Sequence, residues 1–176
     1  MKIAVSGTHG TGKTAVAMQL AAGLKRQNPG KTIGLLTEVA RMCPFPLNRR
    51  TTDDAQRWIF YRQLTKEIEM KKECDILICD RSVIDCLAYS QAADLTDMLD
   101  VCFPQALEWI NTYSRIYWVR INKRRRLVDD GFRDTDPEFQ AQIDFILGNW
   151  FEQYLIETQE MIFNPGGDNA GLEWIR

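Results

Sequence analysis

The chain is poor in soft metal ligands and nearly balanced in charge. It has a single histidine, His9, and its five cysteines, Cys43, Cys74, Cys79, Cys86 and Cys102, contain no C-x-x-C pair. That combination leaves few soft ligands for a zinc cluster, and the thiols read as reduced core or surface groups. A net charge of −2 and a pI near 5.5 argue against a surface built as a whole to hold nucleic acid by counterion release. A local basic patch is still allowed. No run approaches the roughly 18 consecutive apolar residues of a membrane span, and the N-terminus begins at once with a strand-like run instead of a charged region and an apolar core. These absences lead to the expectation of a cytoplasmic protein, or of a viral product that works there. Internal repeats, linkers and low-complexity tracts are also missing.

What is present fits one folded domain over residues 1–176. Hydrophobic residues make up 45% and charged residues 26%, ordinary values for a soluble domain. A chain of this length buries roughly two-thirds of its unfolded surface. Apolar runs at 3–5, 33–36, 76–79 and 116–121 are short and largely continuous, the pattern of strands covered on both faces. Between them, helical periodicity runs over 14–26, 53–72, 82–93, 97–112 and 137 to about 162. Thr52 and Thr96 are placed to cap two of these helices, and Pro137 suits a first turn. Residues 41–52, 129–136 and 164–171 read as loops, and 172–175 as a short final strand. Such alternation predicts an α/β fold of three layers, a central parallel sheet of about five strands flanked by helices.

The stretch SGTHGTGKT, residues 6–14, follows the first strand and opens the first helix. Gly7-x-x-x-x-Gly12-Lys13-Thr14 has P-loop spacing in the required context. Glycines let successive backbone N–H groups point inward, and the helix start adds its positive end to the same anion hole. The loop Gly7, Thr8, His9, Gly10, Thr11, Gly12, Lys13 and Thr14 is therefore expected to bind ATP, with Lys13 at the β and γ phosphates and Thr14 on Mg²⁺. The His9 imidazole is expected to be exposed or packed on the loop, not a proton shuttle. A second apolar strand ends in Asp80-Arg81-Ser82, which places Asp80 at the same crevice as a Mg²⁺ ligand or, alternatively, as a helix cap. Arg81 is suited either to an acceptor's phosphate or hydroxyls or to an ordinary ion pair.

At DRSVIDCLAYSQ, 80–91, the chain resembles the Asp-Arg segment of thymidylate kinases and the Glu-Arg-Ser segment of deoxynucleoside kinases. DDGFRDTD, 129–136, is similar to the Asp-Gly-x-Arg lid of ribosylnicotinamide kinase domains and the small P-loop ATPases grouped with them. The resemblance, to P-loop nucleoside and nucleotide kinases, covers about 1–154. It implies a three-layer P-loop fold and a proton-accepting carboxylate at the end of the second strand, where Glu38 stands; the alternatives are Asp80 as the base and Glu38 as a surface residue opening a short helix. Arg41, three residues on, is a substrate clamp or an ion-pair partner of Glu38. Trp58, in a region that also carries Gln56, Phe60 and Tyr61, is an acceptor contact or core.

The basic run 123–126 sits in a segment, about 122–136, that reads as a solvated charge run, a nucleic-acid patch or a kinase lid, and the Asp-Gly-x-Arg resemblance favours the lid. On that reading Arg126 and Arg133 are the catalytic cations and Asp130 orients Arg133 or the acceptor. Arg125 stands where the guanine-reading Asp of an Asn-Lys-x-Asp motif belongs, against a switch GTPase. The function expected is transfer of the γ-phosphoryl of Mg·ATP to a nucleoside-like small molecule, without nucleic acid or membrane, with a homodimer left open. The alternatives are a nucleoside monophosphate kinase, whose acceptor phosphate Arg41 and Arg81 would grip, and a partner-dependent regulatory ATPase.

Overall fold

Every residue of Lys2–Ser6 and Ile76–Asp80 is buried, as expected of continuous apolar runs that are covered on two faces. They form strands β1 and β3 at the centre of the sheet. The computed structural model describes residues 1–124, 126–129, 131, 134–164 and 171–174, the last four as backbone. Around β1 and β3 lie α1 (Lys13–Gln27), β2 (Ile33–Leu36), α2 (Asp53–Glu73), α3 (Val83–Ala92), α4 (Thr96–Ile110), β4 (Arg115–Val119), α5 (Pro137–Gln153), β5 (Gln159–Asn164) and β6 (Gly171–Trp174). Two 3₁₀ turns, Val39–Met42 and Asn48–Arg50, occupy the segment between β2 and α2 that reads as a loop in the sequence.

The strand order is β2-β3-β1-β4-β5-β6. The first five strands are parallel, as expected, and β6 pairs antiparallel with β5, which gives the final short strand. Because the chain runs from β1 to one side of the sheet and then, after β3, to the other, the order reverses beside β1. A crevice opens there beyond the carboxyl ends of the strands.

Helix α1 covers one face, where Ile3, Val5, Ile78, Val119 and Met161 pack with Val16 and Ala17. Helices α2 to α5 cover the other, where Leu77 and Trp118 meet Phe60, Ile84, Leu87 and Leu147. Each such large side chain contributes about 1.5–3 kcal/mol by leaving water. Gly148 lets α5 approach closely: a Cβ there would lie 2.7 Å from Cη2 of Trp118.

Two local expectations are corrected. Thr96 lies inside α4 and does not cap it; the Met98 N–H in that first turn is taken by Asp53 Oδ1 of α2 at 3.1 Å, while Thr52 caps α2 as expected. Helix α5 stops at Gln153, well short of 162, and Gln159–Asn164 form the parallel strand β5. The stop is a Schellman turn in which the Ile156 N–H donates to Phe151 O at 2.9 Å and Leu155 adopts φ 51°. Leucine is an unusual occupant of a left-handed cap, so the usual glycine signal is missing. Leu155 is 88% exposed and loses no packing if truncated. Leu155→Gly is therefore expected to raise stability by about 0.5–1 kcal/mol, seen as a higher urea midpoint. A lower midpoint would show that this cap is not strained.

Candidate active site

The glycine loop leaves β1 through Gly7, at φ 140°, where a Cβ would lie 2.6 Å from Val119 O, so only glycine fits. Three outside residues hold the loop. Asp85 of α3, fully buried, accepts the Gly7 N–H at 2.8 Å and the Ser6 hydroxyl at 3.1 Å through Oδ1, while its Oδ2 accepts the Ser82 N–H at 2.5 Å and the Ser82 hydroxyl at 2.8 Å. Tyr89 OH accepts the His9 N–H at 3.1 Å, and Gln140 Nε2 donates to His9 O at 2.7 Å. His9 is buried and packed against Tyr89 and Phe139. Leu127, from the 122–136 segment, packs into the space that a side chain at Gly10 would need.

Lys13 is buried and turns its ammonium back to Thr8 O. Burial, with the Arg81 charge nearby, lowers its pKa to about 7. Thr14 Oγ1 donates to Asp80 Oδ2 at 2.6 Å. Burial raises Asp80 above the usual carboxylate range, against the hydrogen bond from Thr14 and the Lys13 charge. The cap of α3 is Ser82, which leaves Asp80 free of capping duty. A hydroxyl and a carboxylate oxygen at one point form a hard donor pair that suits Mg²⁺.

Across the crevice, Glu38 is 5% exposed, so it is not a surface residue, although it does precede the 3₁₀ turn at Val39. Arg81 reaches its Oε1 with Nε at 2.7 Å and Nη2 at 2.5 Å, and Arg41 Nε reaches Oε2 at 3.2 Å. Burial opposes the Arg81 charge, but Glu38 outweighs it and holds the guanidinium charged. Arg81 sits at φ 97°, which costs a non-glycine residue on the order of 1–3 kcal/mol. Arg81 and Glu38 line a small cavity, about 40 Å³, together with His9, Gln56, Cys86 and Tyr89. Gln56 donates from Nε2 to Thr51 Oγ1 at 2.7 Å, and its buried Oε1 has no hydrogen-bond partner among the described residues. Trp58 packs on the apolar cluster and is not in this lining.

The strand ends thus bring together Lys13, Thr14, Glu38, Asp80 and Arg81, with Arg41 at the rim. Arg126 is exposed and lines a groove with Lys123, Leu127, Gln140 and Asp144. Asp130 and Arg133 lie outside the described residues. Asp85 and Gln140 escaped the sequence reading. Asp85 had a signal, since Ser82-x-x-Asp85 before an apolar run is a capping box; its reach to Gly7, and Gln140's to His9, had none.

Residues 2–164 match the AAA domain family. The chain belongs to that family. No curated protein matches this AAA domain in sequence. Among solved structures, it is similar to deoxyadenosine kinase from M. mycoides, at 15% identity over 96% of this chain and 92% of that one, with a TM-score of 0.62. Thymidylate kinase from Ehrlichia chaffeensis aligns at 16% identity over 97% and 91%, with a TM-score of 0.66. The first of these carries the products dCMP and dCDP. At such identities the likeness establishes the fold, which is the three-layer α/β fold of P-loop kinases. No helix among the described residues is long and apolar enough to cross a membrane.

Proposed function

We propose that this AAA domain transfers the γ-phosphoryl of Mg·ATP to a hydroxyl of a nucleoside-like acceptor. The observation that carries the reading is the buried Glu38 carboxylate, bracketed by Arg81 and Arg41 at a pocket that faces the glycine loop. In this reading the loop amides and Lys13 hold the triphosphate. Thr14 and Asp80 would hold Mg²⁺, which neutralises phosphate charge when bound. Glu38 accepts the proton of the attacking hydroxyl and Arg81 orients the acceptor. The unmatched Gln56 Oε1 favours an acceptor that carries an N–H donor, as a nucleobase does. Because Glu38 already takes both arginines, a neutral hydroxyl acceptor fits better than a second phosphate. We take residues 1–176 as one domain and 122–136 as its lid, with Arg126 and Arg133 supplying charge during transfer.

A radiolabelled γ-phosphoryl screen over nucleosides, nucleoside monophosphates and nicotinamide riboside tests this, with Lys13→Ala as the blank. Label is expected on a nucleoside. Hydrolysis alone, indifferent to the whole panel, would instead identify a partner-dependent ATPase.

The Lys13 pKa makes a separate prediction. Triphosphate beside the ammonium raises its pKa, so nucleotide binding should take up close to one proton at pH 8 and almost none at pH 6. Calorimetry in buffers of different ionisation enthalpy reads this directly, and equal uptake by Lys13→Met would refute it. The same depression means that the unfolded chain binds the extra proton between pH 7 and about 10.4, so the free domain gains stability as pH rises through that window.

A further inference from the structure

A second buried network starts on α2, away from the pocket. Glu67, 1% exposed, accepts hydrogen bonds from Lys2 Nζ at 2.7 Å, Trp109 Nε1 at 2.8 Å, Tyr113 OH at 2.7 Å and Gln63 Nε2 at 2.8 Å. The Lys2 ammonium also lies 4.4 Å from the Trp109 ring centroid and 4.3 Å from that of Tyr113. A carboxylate met by four donors in the interior has little freedom to move, and neither have the donors.

Two of those donors make a second contact, and both contacts fall on the turn after β3. Gln63 Nε2 donates its other hydrogen to Arg81 O at 3.3 Å, and Tyr113 OH accepts the Val83 N–H at 3.2 Å. They clamp the backbone on both sides of Ser82. The Arg81 N–H is held in turn by Val5 O at 3.0 Å. The clamped residue is Arg81 with its φ of 97°, a conformation that a non-glycine residue keeps only when its surroundings impose it. Burial, with the Glu67 charge beside it, keeps the Tyr113 phenol protonated and thus a donor to Glu67.

We infer that Gln63 and Tyr113 are positioning residues: anchored on Glu67, they hold Arg81 in its left-handed conformation and so keep its guanidinium on Glu38 in the acceptor pocket. The inference rests on the reading of Arg81 as an acceptor contact. Neither Gln63 nor Tyr113 lines that pocket, so each acts through Arg81. Once the clamp is cut, Arg81 relaxes to a negative φ and its side chain swings off Glu38.

The test compares Gln63→Met and Tyr113→Phe with Trp109→Phe, which removes a hydrogen bond from the same carboxylate without touching the Arg81 turn. Two quantities are read: water exchange of the Arg81 Nε–H by ¹⁵N NMR on the free domain, and KM for the nucleoside of the panel that turns over fastest. In Gln63→Met and Tyr113→Phe, exchange and KM are each expected to rise about tenfold, as displacement of an aligned group does, while the Kd of a fluorescent ATP analogue stays within about twofold. Trp109→Phe should lower the melting temperature and move neither quantity. Unchanged exchange and KM in folded Gln63→Met would overturn the inference, as would an equal change in Trp109→Phe. If Tyr113→Phe does not fold, Gln63→Met decides alone. If exchange rises in the two variants while the parent domain labels no acceptor, the kinase reading falls and the clamp on Arg81 stands.

Discussion

Glu38→Gln is expected to slow phosphoryl transfer by roughly 10²–10⁴-fold, the usual worth of a positioned general base. Since a decade is about 1.4 kcal/mol, that is about 3–5 kcal/mol on the barrier. The amide keeps the shape of the side chain but cannot take the hydroxyl proton, and it leaves Arg81 and Arg41 without their shared counter-charge. ATP affinity should change little, because the glycine loop draws its support from Asp85, Tyr89 and Gln140. Single-turnover transfer together with nucleotide titration separates the two effects. Retained transfer in Glu38→Gln would move the base role to Asp80, whose pKa burial has raised.

Removal of the Asp85 carboxylate is expected to cost about 4 kcal/mol of folding stability, the scale set by leaving several buried donors unmatched. Four donors depend on it: the Gly7 and Ser82 N–H groups and the Ser6 and Ser82 hydroxyls. The first and third belong to the start of the glycine loop, so Asp85→Ala should also weaken ATP binding. Asp85→Asn keeps one acceptor and turns an amide N–H₂ against two donors, so it should recover only part of the loss. Urea denaturation of the three proteins gives the ranking. Equal stability of Asp85→Ala and the parent would show that water replaces the carboxylate.

These two residues mark how far local sequence reaches. Glu38 was legible as a carboxylate just past an apolar run, yet whether it faced solvent or the crevice depended on Arg81, 43 positions away. The Ser82-x-x-Asp85 spacing shows a helix start, whereas its second role as the floor of the glycine loop spans 78 positions. Helix α5 shows the opposite limit. Met161 and Ile162 continue a helical period by coincidence, but Leu155 turns the chain left-handed and Met161 then pairs with Val119 of β4 as a strand. Periodicity over so short a stretch cannot separate the two outcomes, because pairing energy comes from a strand about forty residues earlier.

By itself the sequence determined what depends on neighbours along the chain. That covers the glycine loop between strand and helix, the alternation that forces a parallel sheet, the Thr52 cap and the Asp80-Arg81 strand end. Only the tertiary structure decided what those parts face. Parallel pairing of β2, β3 and β1 brings Glu38, Arg81 and the loop to one crevice. A buried carboxylate on α2, reached by Gln63 of its own helix and by three donors distant in sequence, then fixes how Arg81 points into it. Side-chain type sets which contacts are favourable, while burial and sheet register select which of them form.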